Sequence, residues 1–440
     1  MKQESKNAII ISTAEDTAEL CQLAHTLGYD VGKIFIQKRD TPDTNYYIGS
    51  GKVQEVHDFI EHADHPIDLI IVNGELKPSQ WFSLEKKFKK EVYDRIRLIL
   101  AIFEKHANRR EAKLQVKLAQ LEYERPYVRE LIHRAKAGEH PGYMGGGEYP
   151  VADYYEMIKK QMKNIRNELE KIRTTRQLHR QTRYTSGFYL VSLAGYTNAG
   201  KSSLLNVLAQ EHVFVEDQLF STLSTTTRKI PQNMKYKNIP LLLTDTVGFI
   251  ENLPAVIIDA FHSTLEEIQL ADAVILVVDS SEPKRSVERK LNVSLQELHE
   301  LGVTAPIILA FNKIDLITET ELNDLIKHLE EQHYLTQKKY VAISVQQQQG
   351  LTTLLDVLYS VLPHDVLLTL ELPNTSETHS FISELYTKTF VTDIRYSKTV
   401  VITVRCSMKI QDKIIADCNK LNGKIQEHNY EPTSKRYSKQ

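Results

Sequence analysis

Between residue 7 and about residue 90, short apolar runs alternate with helix-forming stretches. Asn7 to Ile11, Val31 to Ile36 and Ile67 to Val72 read as buried strands, with helical segments between and after them. That alternation predicts a small parallel α/β domain, residues 1–93. From residue 94 to 184 the period changes. Leu114, Leu118 and Leu121 repeat at spacings of four and three, and Ile158, Met162, Ile165, Leu169 and Ile172 do the same. Such narrow stripes are coiled-coil-like seams. Between them Gly138, Gly142, Gly145, Gly146 and Gly147 crowd one run with Pro141 and Pro150, which no helix should cross. Two long antiparallel helices joined at a glycine-rich tip, residues 138–150, are the expected arrangement.

Residues 185–364 return to α/β. Phe188 to Leu193, Ile239 to Thr244, Ala273 to Val278, Ile307 to Phe311 and Tyr340 to Ile343 are apolar runs, each followed by a polar or glycine-containing stretch. In an open parallel sheet those stretches lie at the carboxyl ends of strands, where ligands bind. After Pro363, a strand from Val366 to Leu372, a helix at about 376–388, a strand near Thr399 to Val404 and a helix near Ile410 to Leu421 predict a small α+β domain over 365–440. The polar tail from Glu427 is expected to fray.

Composition narrows the class without choosing a function. The 440 residues are 41% hydrophobic and 25% charged, with a formal net charge of -2, so any nucleic-acid surface must come from local clustering of Lys and Arg. Cys21, Cys406 and Cys418 show no ligand spacing and read as buried thiols in a reducing, cytoplasmic setting. The polar N-terminus has no secretory core, and no apolar run approaches the length of a membrane span.

Gly195 to Ser202, GYTNAGKS, follows a predicted strand and precedes a helical run. This is the context of a phosphate loop, in which glycines turn backbone amides inward and the helix N-terminus favours an anion. Lys201 would reach the β and γ phosphates, and the Ser202 hydroxyl would ligate Mg²⁺. In Asp245, Thr246, Val247 and Gly248, the carboxylate would hold Mg²⁺ through water and the glycine amide would approach the γ-phosphate. Asn312, Lys313, Ile314 and Asp315 follow another strand. Guanine offers two adjacent donors to an ionised Asp315, whereas adenine would leave that carboxylate unpaired at a cost of roughly 1–3 kcal/mol. Lys313 would lie along the base, Asn312 would brace the loop, and Ser344 would complete the pocket. Between the phosphate loop and Asp245, any of Thr225, Thr226 and Thr227 has the hydroxyl to close over the γ-phosphate and Mg²⁺.

These stretches, with FSTLSTTTR, DTVGFIENLP and FHSTLEE between them, resemble the Obg–HflX group of P-loop GTPases. Upstream, NYYIGSGKVQEV, DRIRLILAIFEKHA and EAKLQVKLAQLEY are similar to the N-terminal signatures of HflX-type GTPases. The resemblance covers most of residues 7–362. It implies a GTPase binding GTP and GDP through Gly195, Tyr196, Thr197, Asn198, Ala199, Gly200, Lys201, Ser202 and Ser203, the Asp245–Gly248 and Asn312–Asp315 segments, Ser344 and Val345. It selects Thr226 for the switch, beside Lys201 and Gly248 in catalysis. It also implies K⁺ at Asn198, and large ribosomal subunit and ribosomal RNA as partners, with stalled or idle ribosomes split or rescued. Ser203 and Val345 stand where the family more often has Thr and Ala.

Many P-loop GTPases orient the attacking water with a glutamine where this chain has Phe249, so slow intrinsic hydrolysis is expected unless Phe249 merely packs and another residue acts. Lys159, Lys160, Lys163, Arg166, Lys171, Arg173, Arg176, Arg180 and Arg183 crowd one helix and suit RNA, or a solvated face. Gly49 to Lys52, GSGK, resembles an anion-binding turn and equally an ordinary one. A monomer is expected. The competing readings are a nucleotide-gated protein-interaction switch without ribosomes and a tRNA-modification GTPase. The latter would need a terminal catalytic cysteine, which Cys418 is too far from the end to supply.

Overall fold

Residues Ala8 to Ile11 carry four apolar side chains in a row, all fully buried, which only a strand covered on both faces can achieve. The computed structural model describes residues 6–136, 148–185, 188–210, 226–231, 241–250, 265–336, 338–363 and 365–431. By contacts these divide into two units, one up to residue 172 and the other from 173 on.

In the first unit the strands β1 (Lys6–Ser12), β2 (Tyr29–Ile36), β3 (Leu69–Val72) and β4 (Glu91–Tyr93) form a parallel sheet in the order β2-β1-β3-β4. Helices α1 (Ala18–Leu27), α2 (Ser50–Glu61), α3 (Pro78–Phe88) and α4 (Arg95–His106) accompany it. Ile9, Ile11, Phe35, Val53, Val56, Phe88 and Val92 meet in one apolar cluster. Gly28 ends α1 at φ 96°, a left-handed turn that glycine adopts freely. The buried Asp94 carboxylate accepts the Arg97 amide at 2.8 Å and so starts α4.

Two long helices follow, α5 (Arg110–Lys136) and α6 (Glu148–Thr185). Their seam is apolar: Leu121, Val128, Ile158 and Met162 are buried, with Leu118 and Ile165 against them. The expected pair therefore forms, with two differences. α4 is a separate helix, because Ala107 turns extended and six apolar residues of α4 are buried on its own account. Pro150 lies inside the first turn of α6, where its missing N–H would have no intrahelical partner. The glycines at 138–147 lie outside the described residues.

In the second unit β5 (Tyr189–Gly195), β6 (Thr226–Lys229), β7 (Leu241–Asp245), β8 (Ala273–Asp279), β9 (Ile307–Asn312) and β10 (Lys339–Ala342) form one sheet, ordered β10-β9-β8-β5-β7-β6. All neighbours are parallel except β6, which runs antiparallel to β7. Helices α7 (Lys201–Ala209), α8 (Lys284–Glu300), α9 (Glu319–Glu331) and α10 (Leu351–Val361) connect or cover the strands. Strand order reverses at β5, so the turn after Gly195 opens at the topological switch point.

The last part of this unit is β11 (Asp365–Pro373), α11 (Ser376–Lys388), β12 (Phe390–Tyr396), β13 (Thr399–Ser407), α12 (Met408–Lys420) and β14 (Lys424–Glu431). Its antiparallel order β12-β13-β11-β14 is the split βαβ topology. Strict alternation along β13 buries Val400, Ile402, Val404 and Cys406. The expectation of a frayed tail from Glu427 is corrected, since β14 pairs with β11 as far as Glu431. Backbone pairing along a strand already fixed by β13 needs no apolar side chains of its own. Cys406 and Cys418 are buried as expected, whereas Cys21 is half-buried.

Candidate functional site

The carboxyl ends of β5, β7, β8 and β9 bring together segments far apart in the chain. At Gly195 the backbone takes φ 137°, and an added Cβ would strike the Val277 carbonyl of β8, so glycine is required there. The turn continues through the buried Tyr196, Thr197 and Ala199 and the exposed Asn198, which sits at φ 62°. Gly200 then starts α7 at φ 97°. Lys201, only 7% exposed, donates to the carbonyls of Gly195 at 3.0 Å and Tyr196 at 2.7 Å. Those two bonds use two of its three donors. Burial pushes its pKa down to about 8, and the Asp245 carboxylate opposes that fall.

Ser202 and Ser203 follow on α7. The Ser202 hydroxyl donates to Asp245 Oδ2 at 2.6 Å, joining the two residues expected at the metal. Thr226, at the start of β6, lies directly opposite Asp245 in the antiparallel ladder. Thr227 points its hydroxyl at Thr244 instead, 2.9 Å away. Thr225 lies outside the described residues. Thr246 donates to the Leu193 carbonyl at 2.6 Å and Val247 is buried, which pins the turn after β7 to β5. At Gly248 an added Cβ would lie 2.8 Å from Lys201 Nζ and from Thr197 Cγ2. Only glycine lets this turn close on the phosphate-loop sequence.

Phe249 is 1% exposed, so its ring packs in the interior and does not face a reacting water. Its backbone does more. Its N–H donates to the Gly195 carbonyl at 3.0 Å, and its carbonyl accepts from Thr197 at 2.9 Å.

At the far end of the site Asn312 is a buried connector. Its Nδ2 donates to the Ala199 carbonyl at 2.9 Å, and its Oδ1 accepts the Val345 amide at 3.1 Å. Lys313, at φ 63°, reaches Asp279 Oδ2 at 2.6 Å, and half-buried Ile314 leads to Asp315. The Ser344 hydroxyl donates to Asp315 Oδ1 at 2.5 Å, and the Gln347 amide donates to Ser344 Oγ at 3.0 Å. One carboxylate oxygen is thus oriented from below, while Oδ2 keeps its acceptor capacity. Asp279 was not singled out from the sequence, although an acidic residue closing the apolar run of β8 is the signal that marks it.

Elsewhere, the lysine of the GSGK turn lies in the first turn of α2 and is engaged locally. Lys52 pairs with Glu55 at 2.9 Å and lies 5.7 Å from the Phe35 ring centre. On α6, Lys159, Lys160, Lys163, Arg166, Lys171 and Arg173 are exposed. Part of that charge is spent locally, on Glu156 by Lys159 and on Glu122 by Arg166. The side chains of Arg176, Arg180 and Arg183 lie outside the described residues. No described helix is long and apolar enough to cross a membrane.

Residues 190–313 match a family described as 50S ribosome-binding GTPase. Residues 14–104 and 106–183 match the GTP-binding GTPase N-terminal and middle regions. A GTPase HflX of Thermococcus kodakarensis is 47% identical over 311 residues, 70% of this chain and 69% of that one. Its counterpart in Methanocaldococcus jannaschii is 45% identical over 312 residues, 71% of this chain and 75% of that one. Among solved structures, the complex of SsGBP with GDP is 29% identical and covers 81% of this chain and 98% of that chain, with a TM-score of 0.49. The family matches fall between residues 14 and 313 and relatives are 47% and 45% identical over more than two thirds of each chain, so the chain belongs to the HflX family of GTPases, enzymes that hydrolyse GTP.

Proposed function

We propose that the chain binds GTP at the ends of β5, β7 and β9, docks on the large ribosomal subunit in its GTP state, and splits or rescues stalled or idle ribosomes before hydrolysis releases it. The observation that supports the nucleotide site best is the convergence of Lys201, the Ser202–Asp245 pair and Thr226 at one end with Asp315 and Ser344 at the other. Gly195, Tyr196, Thr197, Asn198, Ala199, Gly200 and Ser203 form the remainder of the phosphate loop, and Thr246, Val247, Gly248, Asn312, Lys313, Ile314 and Val345 shape its walls. The domain division at 93, 184 and 364 belongs to the same proposal.

The Ser202 hydroxyl lies 2.6 Å from Asp245 Oδ2 and Thr226 stands opposite Asp245, and such oxygens are the donors a hard divalent cation prefers, so Ser202, Thr226 and, through water, Asp245 fit Mg²⁺. The ion would neutralise charge between the β and γ phosphates. A site with a single carboxylate suffices because the nucleotide supplies the other oxygens. Lys201 balances the same charge from the opposite side, and the Gly248 amide closes on it. Phe249 contributes burial and backbone bonds, so a partner that adds a group to the site is the expected source of rate. The exposed Asn198 is the candidate K⁺ ligand, and equal hydrolysis rates in K⁺ and Na⁺ would remove that role.

The ribosomal part rests on the match to the 50S ribosome-binding GTPase family and on the exposed cations of α6. The chain is expected to act in the cytoplasm as a monomer. Sedimentation of ribosomal subunits with the chain and GTP, GDP or a non-hydrolysable analogue tests it. Salt-sensitive, GTP-favoured co-sedimentation with the large subunit and an increase in free subunits are expected. Absence from every ribosomal fraction with every nucleotide sinks the proposal and leaves the protein-interaction switch.

A further inference from the structure

The phosphate-loop tyrosine has a task that its backbone alone does not explain. Tyr196 is 7% exposed, and its ring centre lies 4.8 Å from the ammonium of Lys290 on α8. That ammonium is held from the other side by Glu282, at 2.6 Å, in the turn before α8. Lys290 and Glu282 are both about three-quarters shielded from solvent, so their attraction to each other and to the ring is only partly screened. Next to the ring, between the loop and α8, lies a hollow of about 20 Å³, bordered also by Ala199, Val277, Val287 and Ser294. Packing beside the ring is incomplete there, and the Lys290 ammonium adds a directed contact to it.

What the ring holds matters more than the ring. The Tyr196 carbonyl accepts the Lys201 ammonium at 2.7 Å. The residues on either side of it, Gly195 and Thr197, exchange backbone bonds with Phe249 at 3.0 and 2.9 Å. Tyr196 is thus the point where the phosphate-loop sequence, the charge that meets phosphate and the segment after Gly248 are tied together. Loosening the ring would loosen its peptide and, with it, the placing of those partners. Rigid placement before binding is worth affinity because the ordering cost is already met.

We infer that Lys290 and Glu282 are positioning residues for nucleotide binding, an ion pair that clamps the Tyr196 ring and through its carbonyl sets the direction of Lys201. This rests on the reading of Gly195 to Ser202 as the phosphate loop. Lys290 and Glu282 lie outside the phosphate-loop, Asp245–Gly248 and Asn312–Asp315 segments. Helix α8 buries Val287, Leu291 and Leu298, so removing the charge need not unfold it.

The test uses the full chain, titrated with a fluorescent GDP analogue and assayed for steady-state GTP hydrolysis. Lys290→Met is expected to raise the Kd for GDP and the KM for GTP together by roughly three- to tenfold, with a smaller fall in kcat. Lys290→Arg restores both constants, because a guanidinium also stacks on an aromatic face. In a Tyr196→Leu background Lys290→Met adds no further loss. Unchanged affinity in Lys290→Met, or losses that simply add in the double variant, would overturn the clamp. Lys201→Ala in the same assay separates the two readings. If it alone loses binding, the loop stands and the clamp fails; if it too binds as the parent does, the loop reading fails first.

Discussion

The two parallel sheets of this chain share an architecture and differ in what closes their strand ends. In the N-terminal sheet the residues beyond β1 and β3 satisfy one another. Ser12 Oγ donates to the Ala14 carbonyl at 2.6 Å and accepts Asn73 Nδ2 at 3.1 Å, while the buried Tyr47 hydroxyl donates to the Asn73 carbonyl at 2.8 Å. Gly74 leaves the room that the Tyr47 ring fills. In the GTPase sheet the same location carries a buried ammonium, a buried carboxylate and glycines that let Val277, Asn312 and Lys201 approach closely. The ends of β1 and β3 are plugged by neutral side chains that pair with one another, whereas those of β5 and β7 carry shielded charge suited to a ligand, and the difference lies in side chains, not topology.

The largest expected effect separates the two lysines that follow a glycine turn. Lys201→Ala removes a shielded cation from the phosphates and should weaken GTP and GDP binding by about 2–5 kcal/mol, roughly thirtyfold or more. Lys52→Ala, which removes a partner of Glu55, should leave both affinities unchanged. Competition binding of the two variants measures this, and equal losses would erase the contrast between the sheets.

Next comes base choice. Asp315→Asn should shrink the preference for GTP over ATP by about 1–3 kcal/mol, because the acceptor pair is lost. An unchanged preference in competition titrations would show that Asp315 does not read the base.

A pH series sharpens the point about shielded charge. Lys201 is depressed to about 8, and a bound phosphate favours its ammonium form. Binding therefore takes up a proton above that pH, and affinity should fall as pH rises past 8, by at most about tenfold per unit, with no contribution from this group below it. For the chain without nucleotide the sign reverses. The fold binds fewer protons than the unfolded chain between about 8 and the ordinary lysine value of 10.5, so this group's share of stability rises across that window. Calorimetry in two buffers of different ionisation heat would detect the proton.

The smallest effect belongs to the plugged end. In Gly74→Ala the new Cβ meets the end of the Tyr47 ring, and overpacking of this kind costs about 1–3 kcal/mol. Denaturant unfolding should show that loss while GTP affinity stays put. A parallel loss of affinity would mean that the N-terminal strand ends take part in nucleotide binding.

Local chemistry was legible in the sequence. GYTNAGKS and NKID place their residues on single turns, so spacing along the chain equals spacing in space. The seams of α5 and α6 and the apolar runs of both sheets were legible for the same reason. What escaped is non-local or weakly patterned. Asn312 reaches Ala199 across 113 residues, and the Asp279–Lys313 and Lys290–Tyr196 contacts are visible only once β8 and α8 lie beside the loop. The edge strand β6 has four residues, all of them polar, and β12 interrupts its apolar positions with Thr392, Asp393 and Arg395, so neither carries a clear period of two. Among the threonines of the switch, chemistry alone left three open, and the ladder puts Thr226 opposite Asp245.

One side-chain amide, that of Asn312, bridges the Ala199 carbonyl and the Val345 amide, and so welds the two ends of the nucleotide pocket into a single body. Guanosine and pyrophosphate, offered as separate fragments, would then find a seat already shaped by whichever arrived first, and would bind better together than their individual strengths imply. Cutting that weld would leave two half-pockets that each still recognise their fragment and no longer notice the other.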